Sequence, residues 1–264
     1  MQFIESGRSG EKTALVLSAG GMFGSYQAGV WRVLSEWMQP DIVVGASIGS
    51  LNGWLIAGGL SGDELVNRWV RFDSRSTPKW RIPSYLSEGL IDTDPVENWI
   101  EEIYNACTPR TEFGAVVTQI RTMHPQLFRW PEVTWRHLMA SCAVPLFLRQ
   151  HRIDGRFYAD GGLVDPLPIW AAVEMGATRI IGINVLPSRP RVIRAVARCA
   201  RAFGKFTPPC LDGIEVITIE PSEPLGGPGD TIYWNQANAE RWIRVGEKDA
   251  YAFKHLVVKC FERV

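Results

Sequence analysis

No sign of charge dominates this chain: 28 Lys+Arg stand against 28 Asp+Glu over 264 residues. Without a net field there is nothing to draw it to nucleic acid, and any electrostatic targeting must come from a local patch. Cysteine is sparse. Cys107, Cys142, Cys199, Cys210 and Cys260 are odd in number, scattered and free of C-x-x-C spacing. That excludes a disulfide frame or a zinc site and reads as reduced thiols in a cytoplasmic protein. No apolar run approaches the roughly 18 residues that span a bilayer. Residues 1–13 carry Glu5 and Glu11 and do not form a signal peptide. Repeats, low-complexity tracts and acidic loops with calcium-ligand spacing are also lacking, so no metal or other cofactor is expected. What is present is a 46% hydrophobic composition with 11 tryptophans, enough for one large α/β domain over 1–264.

The stretch from Asp41 to Asn52 carries the clearest chemistry. Ile42, Val43 and Val44 are a short apolar run, the pattern of a buried strand. Gly45-Ala46-Ser47-Ile48-Gly49 follows, and Leu51, Trp54 and Leu55 then recur at helical spacing up to Gly58-Gly59. Strand, tight turn and helix are the context of a nucleophile elbow, with Ser47 exposed on the turn and Gly45 and Gly49 allowing strand and helix to pass closely. The helix start directs its positive end at the Ser47 hydroxyl.

Upstream, Ala14–Leu17 reads as a strand, followed by the small-residue turn Ser18-Ala19-Gly20-Gly21-Met22-Phe23-Gly24 and a helix with Tyr26, Val30, Val33, Leu34 and Trp37 on one face. Amides at such a turn suit a phosphate or an oxyanion. A dinucleotide site uses the same arrangement, but its G-x-G-x-x-G is incomplete at Ala19, and Asp41 opens a strand where the ribose ligand should close one. Ser61 to Glu64 forms a capping box, Asp94-Pro95 starts another helix, and the intervening 60–110 insert is a wall or lid for a pocket. Phe113–Thr118 is a strand, followed by a loop holding Pro125 and Pro131. Trp135 to Cys142 is a helix, and Arg152–Tyr158 a hairpin turning at Asp154-Gly155. Asp160-Gly161-Gly162 comes next, then a helix between Pro168 and Gly176 and strands at Arg179–Val185 and Ile214–Ile219. Residues 187–212 place arginines on one helical face and apolar residues on another, a surface helix for which peripheral membrane contact is one use. The chain closes on a helix with Phe253, Leu256, Val257, Cys260 and Phe261 on one face.

Together these pieces resemble the patatin-like phospholipases. The family's glycine-rich turn appears as Ala19 to Gly24 followed by Tyr26-Gln27-Ala28-Gly29-Val30, its G-x-S-x-G as Gly45 to Gly49, and its D-G-G as Asp160-Gly161-Gly162. Ala140-Ser141-Cys142-Ala143-Val144-Pro145 and Leu163-Val164-Asp165-Pro166-Leu167-Pro168 flank the last motif in the familiar way. The resemblance implies a three-layer α/β/α fold with a mainly parallel sheet, and hydrolysis of lipid or other acyl esters by a Ser47–Asp160 dyad without histidine. The amides around Gly20, Gly21 and Met22 would form the oxyanion hole. The sequence departs from the family at Ala19, where glycine is usual, and at Phe23, where Arg or Lys is usual. The lost cation leaves neutral lipids and simple esters open beside phospholipids. Asp165, where Asn is common, would raise the Asp160 pKa further if close. Two other readings stand beside this one. In a Ser–Asp–His triad, His255 would be the one histidine among His124, His137, His151 and His255 that comes late enough in the chain. The other is a non-catalytic lipid-binding protein with a decayed site. Oligomeric state, head group and chain length are not encoded legibly.

Overall fold

The structure is a computed structural model; it describes residues 10–72, 90–187, 198–199, 202–203 and 206–262, with side chains through Lys254. Most of the basic stretch within 187–212, residues 73–89 of the insert and the His255 side chain lie outside the described residues.

Eight strands form one mixed sheet in the order β5-β6-β3-β2-β1-β7-β8, with β4 paired to β3. β1 (Thr13–Leu17), β2 (Ile42–Ala46), β3 (Glu112–Gln119), β7 (Arg179–Ile183) and β8 (Glu215–Ile219) are parallel. β4 (His124–Arg129) and β6 (Arg156–Ala159) run against them, and β5 (His151–Ile153), antiparallel to β6, runs with them. The parallel strands read as continuous apolar runs because both faces are covered. Leu15 and Leu17 of β1 join Val43, Phe113 and Ile181 in the larger core, whereas Ala14 and Val16 join Ile42, Val44 and Val116 on the opposite face. The first core is covered by α1 (Gly24–Leu34), α2 (Ile48–Ala57), α3 (Gly62–Val70), α4 (Asp94–Ala106), α5 (Trp135–Cys142) and α7 (Gln236–Glu262). On the other face α6 (Ile169–Glu174) lays down Trp170, Ala171 and Ala172. The three layers and the mainly parallel sheet are as the sequence led us to expect.

The loop expected between β3 and α5 contains a strand. β4 runs antiparallel to β3 with Pro125 opposite Thr118 and Arg129 opposite Gly114. It pairs with no other strand among the described residues, and an edge strand tolerates a proline whose missing N–H faces away from the ladder. The Asp154-Gly155 hairpin forms as expected, with Arg152 opposite Phe157, and so does the Ser61 capping box, whose hydroxyl accepts from the Glu64 amide. Asp41 is at the start of β2, where its Oδ2 accepts from the Thr13 amide at 2.8 Å. It is a clamp between two strand starts, at the end of the sheet opposite Ser47.

The last helix is far longer than its C-terminal apolar stripe suggested. It lies along α1, burying Trp242 and Asp249. Asp249 Oδ2 accepts from the Tyr26 hydroxyl at 3.0 Å and from the Ser222 amide at 2.9 Å. Burial, then the Asp249 charge, push the Tyr26 phenol far up, so it remains a donor. Asp249→Ala will leave that buried hydroxyl unpaired. The expected cost is about 1–3 kcal/mol, read as a fall of several degrees in the thermal midpoint.

Candidate active site

β3 acts as the ruler that brings the two candidate residues together. β2 runs up one edge of β3 and ends with Ala46 opposite Val116. β6 comes down the same edge and ends with Ala159 opposite Thr118, since β4 already occupies the other edge at Thr118. Ser47 and Asp160 are the next residues on each, so both arrive level with Val117. The Ser47 hydroxyl lies close enough to the Asp160 carboxylate to lower its pKa. Ser47 is 7% exposed and Asp160 6%, so both are buried.

Ser47 is held in a left-handed conformation, φ 54° and ψ −129°. Such strain is tolerated when the surroundings over-determine it. Here the Ser47 amide donates to Ser141 Oγ at 2.9 Å, and Ser141 in turn donates to the Val116 carbonyl at 2.7 Å. Ser50 Oγ donates to the Ser47 carbonyl at 2.7 Å. The two flanking glycines answer to close approach. A Cβ on Gly45 would stand 2.1 Å from the Gly49 carbonyl oxygen, and one on Gly49 would stand 2.4 Å from that of Leu17. Gly49→Ala is therefore expected to force β1 away from α2 and to lose soluble expression or several degrees of thermal midpoint, measured by calorimetry.

Asp160 is fixed as firmly. Its amide donates to the Ala143 carbonyl at 3.0 Å, its carbonyl accepts from Thr118 Oγ1 at 2.9 Å, and its Oδ1 accepts from the Gly162 amide at 2.7 Å. Burial raises its carboxyl pKa from 3.8 to about 6, against the Ser47 and Gly162 hydrogen bonds, which lower it. The Cys142 thiol lies beside Ser47 and Ser50; burial, then the Asp160 charge, hold it protonated and unreactive.

The glycine-rich turn borders the same pair. Gly21–Phe23 is a single 3₁₀ turn leading into α1. The amides of Gly20, Gly21 and Met22 take part in no backbone hydrogen bond found among the described residues. A Cβ on Gly24 would meet Ile48, the residue after Ser47, at 2.5 Å, which places the turn against the elbow. Gly21, at φ 56°, packs so tightly on the Thr231 carbonyl that a Cβ would stand 2.0 Å from it. The Pro228–Thr231 turn thus buttresses this loop, a role nothing in its sequence announced.

Both departures in the turn have packing explanations. Ala19 is not at positive φ, and its methyl lies where a side chain on Gly162 would be, 2.3 Å from that missing Cβ. Phe23 is 4% exposed, edge-on to Trp242 at 4.9 Å and 86°. It faces the core, and the loop is held by an aromatic pair from a helix more than two hundred positions away. Beneath the turn, Gln27 Nε2 donates to the Ser18 carbonyl at 2.7 Å, and Asn52 links Gln27, Gly24 and Trp69.

The three described histidine side chains stand elsewhere. His137 caps α5 through Thr134 and packs on Phe128; burial lowers its pKa. His151 meets Glu97 at 3.4 Å, and burial, then the Arg149 charge, lower its pKa to about 4. His124 lies against Phe206. Serine and carboxylate stand side by side, and no imidazole among the described residues lies between them. Among the described residues no group of acids, histidines and cysteines could hold a metal ion, and no helix is long and apolar enough to cross a membrane.

The sequence profile of the patatin-like phospholipases matches residues 15–173. The chain belongs to the patatin-like phospholipase family. It is similar to an NTE-family protein of Mycobacterium bovis, 27% identical over 68% of this chain and 50% of that one. It also resembles the lysophospholipase NTE1 of Mycosarcoma maydis, 28% identical over 67% of this chain and 10% of that one. The chain thus spans half or less of these relatives' length. VipD of Legionella pneumophila is a solved structure of related shape, with a TM-score of 0.49 and 13% identity over 92% of this chain and 66% of that one. The Ala140–Pro145 flank of this patatin-like chain supplies three groups at the pair: Ser141 Oγ, the Cys142 thiol and the Ala143 carbonyl.

Proposed function

We propose that the chain is a serine acyl hydrolase that cleaves acyl esters of lipids, as one catalytic domain. The observation that carries this reading is the arrival of the strained Ser47 and the buried Asp160 side by side, level with Val117 of β3. Asp160 takes the hydroxyl proton as Ser47 Oγ attacks the ester carbonyl carbon. The negative oxygen of the tetrahedral intermediate is received by the amides of Gly20, Gly21 and Met22, aided by the N-terminus of α2. Collapse breaks the ester C–O bond, and the leaving alcohol takes the proton from Asp160. Water then attacks the acyl-Ser47 carbonyl, giving its proton to Asp160. The acid departs, and the proton returns to Ser47. A carboxylate near pKa 3.9 is a weak base at neutral pH; burial of Asp160 brings it closer to the working range.

Lysophospholipids, phospholipids and neutral lipids are the substrate classes. The apolar hollow bounded by Leu51, Leu65, Trp69, Phe72 and Trp99 has an accessible volume of about 30 Å³, room for a water and not for an acyl chain. The test is to treat the purified protein with a fluorophosphonate and map the adduct by mass spectrometry, then assay p-nitrophenyl esters and lysophospholipid micelles. Stoichiometric labelling of Ser47 with turnover is expected; an unlabelled Ser47 and no ester turnover would sink the reading.

A further inference from the structure

We propose that the strand end carrying Ser47 and Asp160 docks on an anionic phospholipid bilayer through the Val144–Leu148 turn and the β5–β6 hairpin. Of nine large apolar side chains exposed among the described residues, five fall here: Leu90, Ile120, Val144, Leu146 and Phe157. Hydrogen bonds join their segments into one piece with the site. The Leu90 amide donates to the Leu146 carbonyl at 2.9 Å, the Ile120 amide to that of Phe157 at 3.0 Å, and the Asp160 amide to that of Ala143 at 3.0 Å. Exposed apolar residues scattered singly need no explanation, but such a concentration at one end does.

Leu146 is the sharpest case. It is 57% exposed and sits at φ 71°, a conformation that disfavours any side chain with a Cβ. Its side chain contributes little to the core, so folding does not explain a leucine there. Phe157 is 50% exposed and carries the Arg152 guanidinium 5.9 Å above its ring. An arginine lying on an apolar base can keep its charge among head groups while the ring enters the acyl boundary.

Charge selects the lipid. Segments 90–92, 119–122 and 143–158 hold Arg121, Arg149, Arg152 and Arg156 against Asp92 and Asp154. Arg149 is engaged with Asp94 and Glu97 at 3.8 and 3.7 Å; Arg121, Arg152 and Arg156 are exposed. The whole chain is neutral, so this cationic excess is local and fits an anionic leaflet. Its position beside the mouth rests on the acyl-hydrolase reading, because a lipid substrate has to enter at this end.

The experiment separates docking from catalysis. The Ser47→Ala chain is sedimented with vesicles of phosphatidylcholine alone and of phosphatidylcholine mixed with phosphatidylglycerol, at low and high salt. Binding is expected to favour the anionic vesicles and to weaken with salt. Leu146→Ser/Phe157→Ser and Arg152→Glu/Arg156→Glu should each lower partitioning by about tenfold. The same pairs in the wild-type background should leave p-nitrophenyl butyrate turnover within about twofold, which controls for folding. Unchanged partitioning in both pairs would overturn the proposal and reassign any vesicle binding to the 187–212 stretch. A dimer that dissociates on Leu146→Ser/Phe157→Ser, with vesicle binding intact, would overturn it in favour of a second copy. Absence of ester turnover with vesicle binding as described would strike the acyl-hydrolase reading alone.

Discussion

Ser47→Ala will remove ester turnover, lowering kcat by on the order of 10⁴-fold or more while the chain still folds and still binds lipid. The loss is this large because no neighbour can take over. The Cys142 thiol lies beside Ser47, but burial keeps it protonated, and a protonated thiol is a poor nucleophile. The elbow gives a second readout. At φ 54° and ψ −129°, position 47 suits glycine better than any residue with a Cβ, so Ser47→Gly should relieve about 1–3 kcal/mol of strain. An inactive Ser47→Gly chain with a raised thermal midpoint would show that the serine is kept against the interest of stability. Wild-type kinetics in the Ser47→Ala variant would end the assignment.

The geometry of the site was legible to the extent that it is local. Gly45 and Gly49 stand within two residues of Ser47, and the apolar run before them and the helical spacing after them fix strand, turn and helix. The Asp154-Gly155 hairpin is equally local, and it delivers Asp160. What could not be read depends on contacts made across the chain. Pro125 reads as a loop residue until β4 is known to be an edge strand. Phe23 reads as a lost charge until Trp242 is placed against it. The first half of α7 hid because Gly246 looks like a breaker and Asp249 like a surface residue. In the fold, a Cβ on Gly246 would stand 2.4 Å from the Tyr26 carbonyl oxygen, and Asp249 is buried against the Tyr26 hydroxyl. The support of the Gly21 turn by Thr231 has no local signature, since it is a backbone carbonyl that makes the contact.

Asp160→Asn should lower kcat/KM by on the order of 10⁴-fold, as expected when the proton acceptor of an activated serine is made neutral. On the proposed mechanism the same group should set the acid limb in the wild-type chain. Only the carboxylate accepts a proton, so kcat/KM should fall about tenfold per pH unit below a midpoint of about 6 and level off above it. Stability should move the other way. The folded carboxyl holds its proton to about pH 6, whereas an ordinary aspartate releases it near 3.8. Folding therefore binds a proton between these values, and stability falls as pH rises through that window. Above it the full penalty stands, on the order of 3 kcal/mol. Asparagine keeps an oxygen for the Gly162 amide and removes the charge, so Asp160→Asn should melt several degrees higher than wild type at about pH 8. That gain should shrink toward zero near pH 4, where the wild-type carboxyl is already neutral in the folded chain. A structural aspartate would show the reverse, a variant that is less stable at every pH. Kinetics and calorimetry on this one substitution thus distinguish a base held in an unfavourable place for its chemistry from an acid that merely caps the Gly161-Gly162 turn.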